Sequence, residues 1–141
     1  MTTLAANEPR DLALAGAEMI GSRPVIASDI IFAGAAVGDN ASNLARPLVG
    51  GDVFFGFASR KADNSGGAAS AINVELAVKG TIILNVVGVT GVTDTEAAVY
   101  ATDDNTFTLT ASGATRIGTV KRFESGTRCL VYFEAVSVRS I

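Results

Sequence analysis

Ile72-Asn73-Val74-Glu75-Leu76-Ala77-Val78-Lys79 alternates its side chains with a period of two. Ile72, Val74, Leu76 and Val78 share one face; Asn73, Glu75, Ala77 and Lys79 share the other. Only an extended chain puts every second residue on one side, so this octet predicts a half-buried β-strand. Gly80 permits a bend, after which residues 81–87 resume as a second apolar strand. The pattern continues downstream. Residues 98–102 are short and apolar, and Phe107 and Leu109 alternate with Thr106, Thr108 and Thr110. Residues 117–123 read as a strand, and Cys129, Val131 and Phe133 oppose Leu130, Tyr132 and Glu134. Upstream, Gly50-Gly51-Asp52 punctuates before the strand Val53-Phe54-Phe55-Gly56-Phe57-Ala58. Residues 62–68 read as a loop, and residues 23–36, with Val25, Ile26, Ile30, Ile31 and Phe32, suit an early strand or a pair of short ones.

Turn signals separate these runs at intervals of about 8–12 residues, the mark of an antiparallel sandwich or barrel. They include Asp103-Asp104-Asn105, Ser112-Gly113-Ala114-Thr115-Arg116 and Ser125-Gly126-Thr127-Arg128. Thirteen threonines and fifteen valines add β-branched side chains that fit a pleated surface. The expected fold class is all-β, a small antiparallel β-barrel or β-sandwich with an extended N-terminal arm. Residues 1–22 form that arm, with at most one helical turn because Gly16 interrupts residues 11–20 and no clean apolar stripe runs along them. Residues 23–141 form the β-rich domain.

The chain has 141 residues, enough for one domain with a real core. Histidine is absent and Cys129 is the one cysteine, which excludes a Ser-His-Asp or Cys-His pair, a Cys/His zinc site and an intrachain disulfide. Hydrophobic residues make up 48% and charged residues 18%, against about 25% charged in an average protein. So little polar material points to apolar surface hidden between subunits. Residues 1–114 carry six basic and twelve acidic residues; residues 115–141 carry five basic and two acidic. The acidic balance argues against a nucleic-acid partner, and the basic last quarter offers a local patch or the solvated face of strands. The N-terminus lacks the basic and apolar regions of a secretory signal, and the most apolar window, residues 82–89, is far short of a membrane span of about 20 residues.

Few side chains suggest chemistry. Asp94, Glu96, Asp103 and Asp104 carry oxygen ligands but match no complete cation loop, so turn chemistry is the better reading. Gly88-x-x-Gly91 and Gly50-Gly51 match no phosphate cradle. Cys129 lies in an alternating strand and reads as a buried, inert thiol suited to a reducing compartment. Phe54, Phe55 and Phe57 fall on both faces of one strand, so the second face must be covered by another sheet or another subunit. No catalytic residue, metal or cofactor is assigned.

Longer blocks carry a resemblance. The runs 46–58 (Arg46-Pro47-Leu48-Val49-Gly50-Gly51-Asp52-Val53-Phe54-Phe55-Gly56-Phe57-Ala58), 63–69 and 99–109 (Val99-Tyr100-Ala101-Thr102-Asp103-Asp104-Asn105-Thr106-Phe107-Thr108-Leu109) resemble capsid decoration, or cement, proteins of tailed bacteriophages. So do Ile26-Ala27-Ser28-Asp29-Ile30-Ile31-Phe32-Ala33-Gly34-Ala35-Ala36-Val37-Gly38, Arg116-Ile117-Gly118-Thr119-Val120 and the closing Val131-Tyr132-Phe133-Glu134-Ala135. The likeness covers about residues 1–136, and residues 136–141 run past where such proteins often stop.

The resemblance implies a non-enzymatic virion protein, made in the host cytoplasm. It would sit on the capsid exterior as a homotrimer and bridge neighbouring copies of the major capsid protein, with neither nucleic acid nor membrane as partner. The arm and the residues just after it, Thr3, Leu4, Asn7, Pro9, Arg10, Arg23 and Pro24, are the candidate capsid or subunit contacts. The alternative is a β-rich adhesion module for carbohydrate or a host surface. Such sites favour exposed aromatics, and here tryptophan is absent and the tyrosines are only Tyr100 and Tyr132.

Overall fold

A computed structural model describes residues 3–10 and 19–135. The expected helical turn within residues 11–20 lies largely outside the described residues, and so do residues 136–141. The described chain forms eleven strands: β1 Met19–Pro24, β2 Asp29–Ile31, β3 Ala36–Asp39, β4 Ala45–Pro47, β5 Phe54–Ala58, β6 Ala62–Asn64, β7 Asn73–Val87, β8 Ala98–Ala101, β9 Phe107–Thr108, β10 Thr115–Ser125 and β11 Arg128–Glu134. A single 3₁₀ turn, Val92–Asp94, joins β7 to β8. No helix among the described residues is long and apolar enough to cross a membrane.

The opening octet belongs to β7, the spine of the molecule. Gly80 does not break it; residues 73–87 run as one strand. Its first half pairs with β1 along one edge and with β5 along the other. Its second half pairs with β11 on the first edge and with β9 on the second. Strands β7, β11, β10, β8 and β9 then close on themselves as a five-stranded barrel. The expected barrel is therefore present, with one departure from antiparallel order: β9 runs parallel to β7, Val86 opposite Phe107. The other strands extend the sheet from β5 through β3 to β4, and β2 and β6 form a separate two-stranded sheet. The region read as the loop 62–68 thus begins with a strand, since residues 62–64 pair with β2. Residues 19–22, within the expected arm, already belong to β1.

Two cores fill this frame. Ile82, Leu84, Val86, Val99, Ile117, Val120, Cys129, Val131 and Phe133 fill the barrel. Val25, Ile31, Val37, Phe55, Val74 and Leu76 form the second cluster. One face of β7 supplies both, with Val74 and Leu76 in one and Ile82, Leu84 and Val86 in the other. Strand β5 lies between them. Strict alternation would separate Phe54 from Phe57, yet both join the barrel core while Phe55 and Ala58 join the second. Gly56 makes this possible. It adopts φ +128°, open mainly to glycine, and the register with β3 slips there. Both faces of the phenylalanine strand are therefore covered from within the chain. Its aromatic content is no sign of a partner subunit.

Cys129 is fully buried in the barrel. Burial, with smaller contributions from Asp94 and Glu124, pushes its thiol up to about 11. The thiolate is the reactive form, so iodoacetamide at neutral pH is expected to leave Cys129 unmodified in the native protein and alkylate it fully in denaturant. Comparable labelling in both states, read by mass spectrometry, would contradict this placement.

Candidate docking groove

Residues 3–10 are a strap laid across the body and held by hydrogen bonds from both its backbone and its side chains. The Glu8 N–H donates to the Ala33 carbonyl at 2.8 Å, and Asn7 Oδ1 accepts from the Ala33 N–H at 3.1 Å. The Leu4 N–H donates to Asp104 Oδ1 at 3.1 Å, and the Leu4 side chain packs on the second core. Arg10 donates from Nε to the Gly34 carbonyl at 3.0 Å and from Nη2 to Asn105 Oδ1 at 2.6 Å. Its guanidinium lies 5.8 Å from the centre of the Phe107 ring. The strap thus ties the loop after β2 to the β8–β9 turn. Such bonds need no apolar periodicity, which is why these residues carried no core pattern in the sequence.

The strap borders an open groove of about 830 Å³. Thr3 and Leu4 line one part of it, with Ile26, Ile30, Phe32, Pro47, Leu48 and Val49 as apolar wall. Val49 stands half exposed there, at 50%. Three carboxylates, Asp29, Asp103 and Asp104, also line it. Its one cation is Arg46, which Asp52 already neutralises through Nη2–Oδ1 at 2.7 Å and Nε–Oδ2 at 3.0 Å. The groove is therefore apolar with an acidic bias.

Asp103 and Asp104 form the expected turn, with Asp103 Oδ1 accepting from the Asn105 N–H at 2.9 Å. They are nonetheless buried, at 5% and 2% exposure. Asp103 Oδ2 and Thr102 Oγ1 are buried without a hydrogen-bond partner among the described residues. Burial raises the Asp104 carboxyl above its ordinary value; the Leu4 N–H opposes that rise and Asp103 adds to it. Folded Asp104 therefore holds its proton more readily than the unfolded chain does. Its contribution to stability is largest at acid pH and falls as pH rises through the folded value. Asp104→Asn keeps an oxygen for Leu4 and removes the charge, so its stability relative to wild type should increase from acid to neutral pH. Urea midpoints at both conditions measure this, and an unchanged difference would contradict it.

The remaining candidate contacts are dispersed. Pro9 and Arg10 border a smaller cavity of about 210 Å³ beside Gly34 and Phe57. Arg23 lies 4.2 Å from the centre of the Phe55 ring, and Pro24 pairs with Asn73. Only Thr3 and Leu4 meet at the groove. Sequence reading had not placed Asp29, Val49, Asp103 or Asp104 there; the paired acids after an apolar strand were the one available signal. Asp94 caps its own turn through Thr90 and Gly91, and Glu96 pairs with Lys121. No group of three or more acidic or thiol side chains that could hold a metal occurs among the described residues. No protein-family model matches this chain, and no curated protein matches it significantly.

Proposed function

We propose that the protein is a structural virion subunit that binds the outer surface of an assembled phage capsid and bridges neighbouring major capsid subunits. The observation that carries this reading is the strap-bordered groove: an open cavity of about 830 Å³ with an apolar wall and an acidic edge. Its size falls within the range of binding clefts, and an open groove suits a segment of a protein partner. The resemblance of residues 46–58 and 99–109 to decoration proteins supports the same reading, because Pro47, Leu48, Val49, Asp103 and Asp104 come from those blocks. A homotrimer is part of the proposal. Attachment would stabilise the shell by mass action, since the ligand binds one lattice state only. Several sites on one trimer would add effective concentration.

Cosedimentation with expanded, undecorated capsids tests the reading. The full chain is expected to pellet with the shells. A chain lacking residues 1–15 removes the strap wall of the groove and should stay in the supernatant while keeping its β-type circular dichroism. Absence of binding by the full chain overturns the function, and undiminished binding by the folded truncation overturns the role of the strap.

A further inference from the structure

The barrel carries a second concavity on its outer wall. It is a trough of about 380 Å³ lined by Arg116, Ile117, Gly118, Thr119, Tyr132 and Glu134. Thr119 and Tyr132 are cross-strand partners in the β10–β11 ladder, and Gly118 lets the two strands approach closely, since a Cβ there would collide with the Tyr132 carbonyl.

Tyr132 is held in a defined pose. Its hydroxyl donates to Glu134 Oε1 at 2.8 Å. Residues two apart on a strand lie on one face and about 7 Å apart, so the bonded tyrosine and glutamate lean toward each other along β11. Strand β11 turns Cys129, Val131 and Phe133 inward, so Tyr132 projects from the outer face of the barrel. Tyr132 is half-buried, so the ring is supported from beneath.

The charges around the ring are not satisfied by each other. Arg116 is exposed and makes no ion pair or side-chain hydrogen bond among the described residues. Glu134 lines the same trough and forms no ion pair with it, or with Lys79 opposite in the β11–β7 ladder. A fixed aromatic face thus stands beside a donor-only group and an acceptor-only group, with the Thr119 hydroxyl able to do either. A ligand that fills the space must present an apolar face to the ring and give and take hydrogen bonds at its edge.

We infer that this trough binds a neutral saccharide, with the C–H face of a sugar ring on Tyr132 and neighbouring hydroxyls accepting from Arg116 and donating to Glu134. The trough volume suits one or two sugar rings. A zwitterion such as a free amino acid would match the charges but leaves the aromatic face unused.

A glycan array followed by titration of the best binder, watched by NMR, tests the inference. At least one neutral mono- or oligosaccharide should bind the full chain, with shifts confined to Arg116, Thr119, Tyr132, Glu134 and their neighbours. Arg116→Ala and Tyr132→Ala should each weaken binding about tenfold or more, the cost of a lost charged hydrogen bond or ring contact. Tyr132→Phe keeps the platform and should retain most of the affinity, and Arg60→Ala, on another part of the surface, should not change it. The three positions lie outside both cores, so the four variants are expected to keep the fold, which the NMR spectrum verifies. No saccharide binding at millimolar concentration overturns the inference, as does binding that survives Arg116→Ala and Tyr132→Ala. Displacement of the sugar by glycine would reassign the trough to a zwitterion. Capsid cosedimentation is independent of every one of these outcomes.

Discussion

Phe57→Ala is expected to remove about 3–5 kcal/mol of folding stability, the usual cost of truncating a buried phenylalanine. Phe57 is 2% exposed and stands at the junction of the two cores. Its ring centre lies 5.0 Å from Phe133, 5.5 Å from Phe54 and 5.9 Å from Phe107. The first two contacts are edge-to-face, worth roughly 0.5–1.5 kcal/mol each beyond simple burial. The backbone that carries the ring is tied on both edges of β5, since Phe57 pairs with Ala36 on β3 and with Ala77 on β7. Collapse around the void would have to move β5 against hydrogen-bonded neighbours on both of its edges, so the cavity should persist. Domains of this size hold about 5–15 kcal/mol in all, and the loss should lower the melting temperature by roughly 10–20 °C. Calorimetry measures it. A fall of only a few degrees would show that the barrel and the outer sheet do not depend on this ring.

The same ring shows what sequence can and cannot reveal. Cys129, Val131 and Phe133 were legible as the inner face of β11 because alternation and burial obey one period there. Phe54 and Phe57 were not, because Gly56 shifts the phase between them; an apolar run with a glycine inside offers no mark of which residues share a core. Barrel closure was hidden for a different reason. It depends on β9, two residues long and parallel to β7, which is too short to carry any periodicity. The strap was read as an arm without core periodicity, and its one core contact, Leu4 against the second cluster, is a single residue that makes no pattern. Its docking rests on the Ala33, Gly34, Asp104 and Asn105 polar groups far along the chain, which no local pattern links to it. Asp103 and Asp104 were legible as a turn, but their burial follows from that same long-range closure.

Gly34→Ala should detach the strap while leaving the barrel intact. Gly34 adopts φ +88°, where a side chain costs of order 1 kcal/mol or more. Space is the harder constraint: a Cβ at this position would collide with the Glu8 carbonyl. The neighbour is backbone, which cannot rotate aside as a side chain can. Either β2 and the loop after it shift, against the Gly34 N–H bond to the Ala58 carbonyl at 2.8 Å, or the strap lifts. The strap is the weaker partner, held by a few exposed or half-exposed hydrogen bonds, so it should lift. The amides of Leu4 and Glu8, both hydrogen-bonded in the native state, report this directly. In the variant they should exchange with solvent at nearly the rate of an unfolded segment, while core amides such as Val131 keep their protection. Lifting the strap also removes Thr3 and Leu4 from the groove wall and Arg10 from Phe107. If the groove is the surface that meets the capsid, shell binding should fall together with Leu4 protection, and to a similar extent as in the chain lacking residues 1–15. Retained protection of Leu4 and Glu8 in Gly34→Ala would refute the docked strap. Lost protection with undiminished cosedimentation would leave the strap in place as structure and remove it from the binding surface.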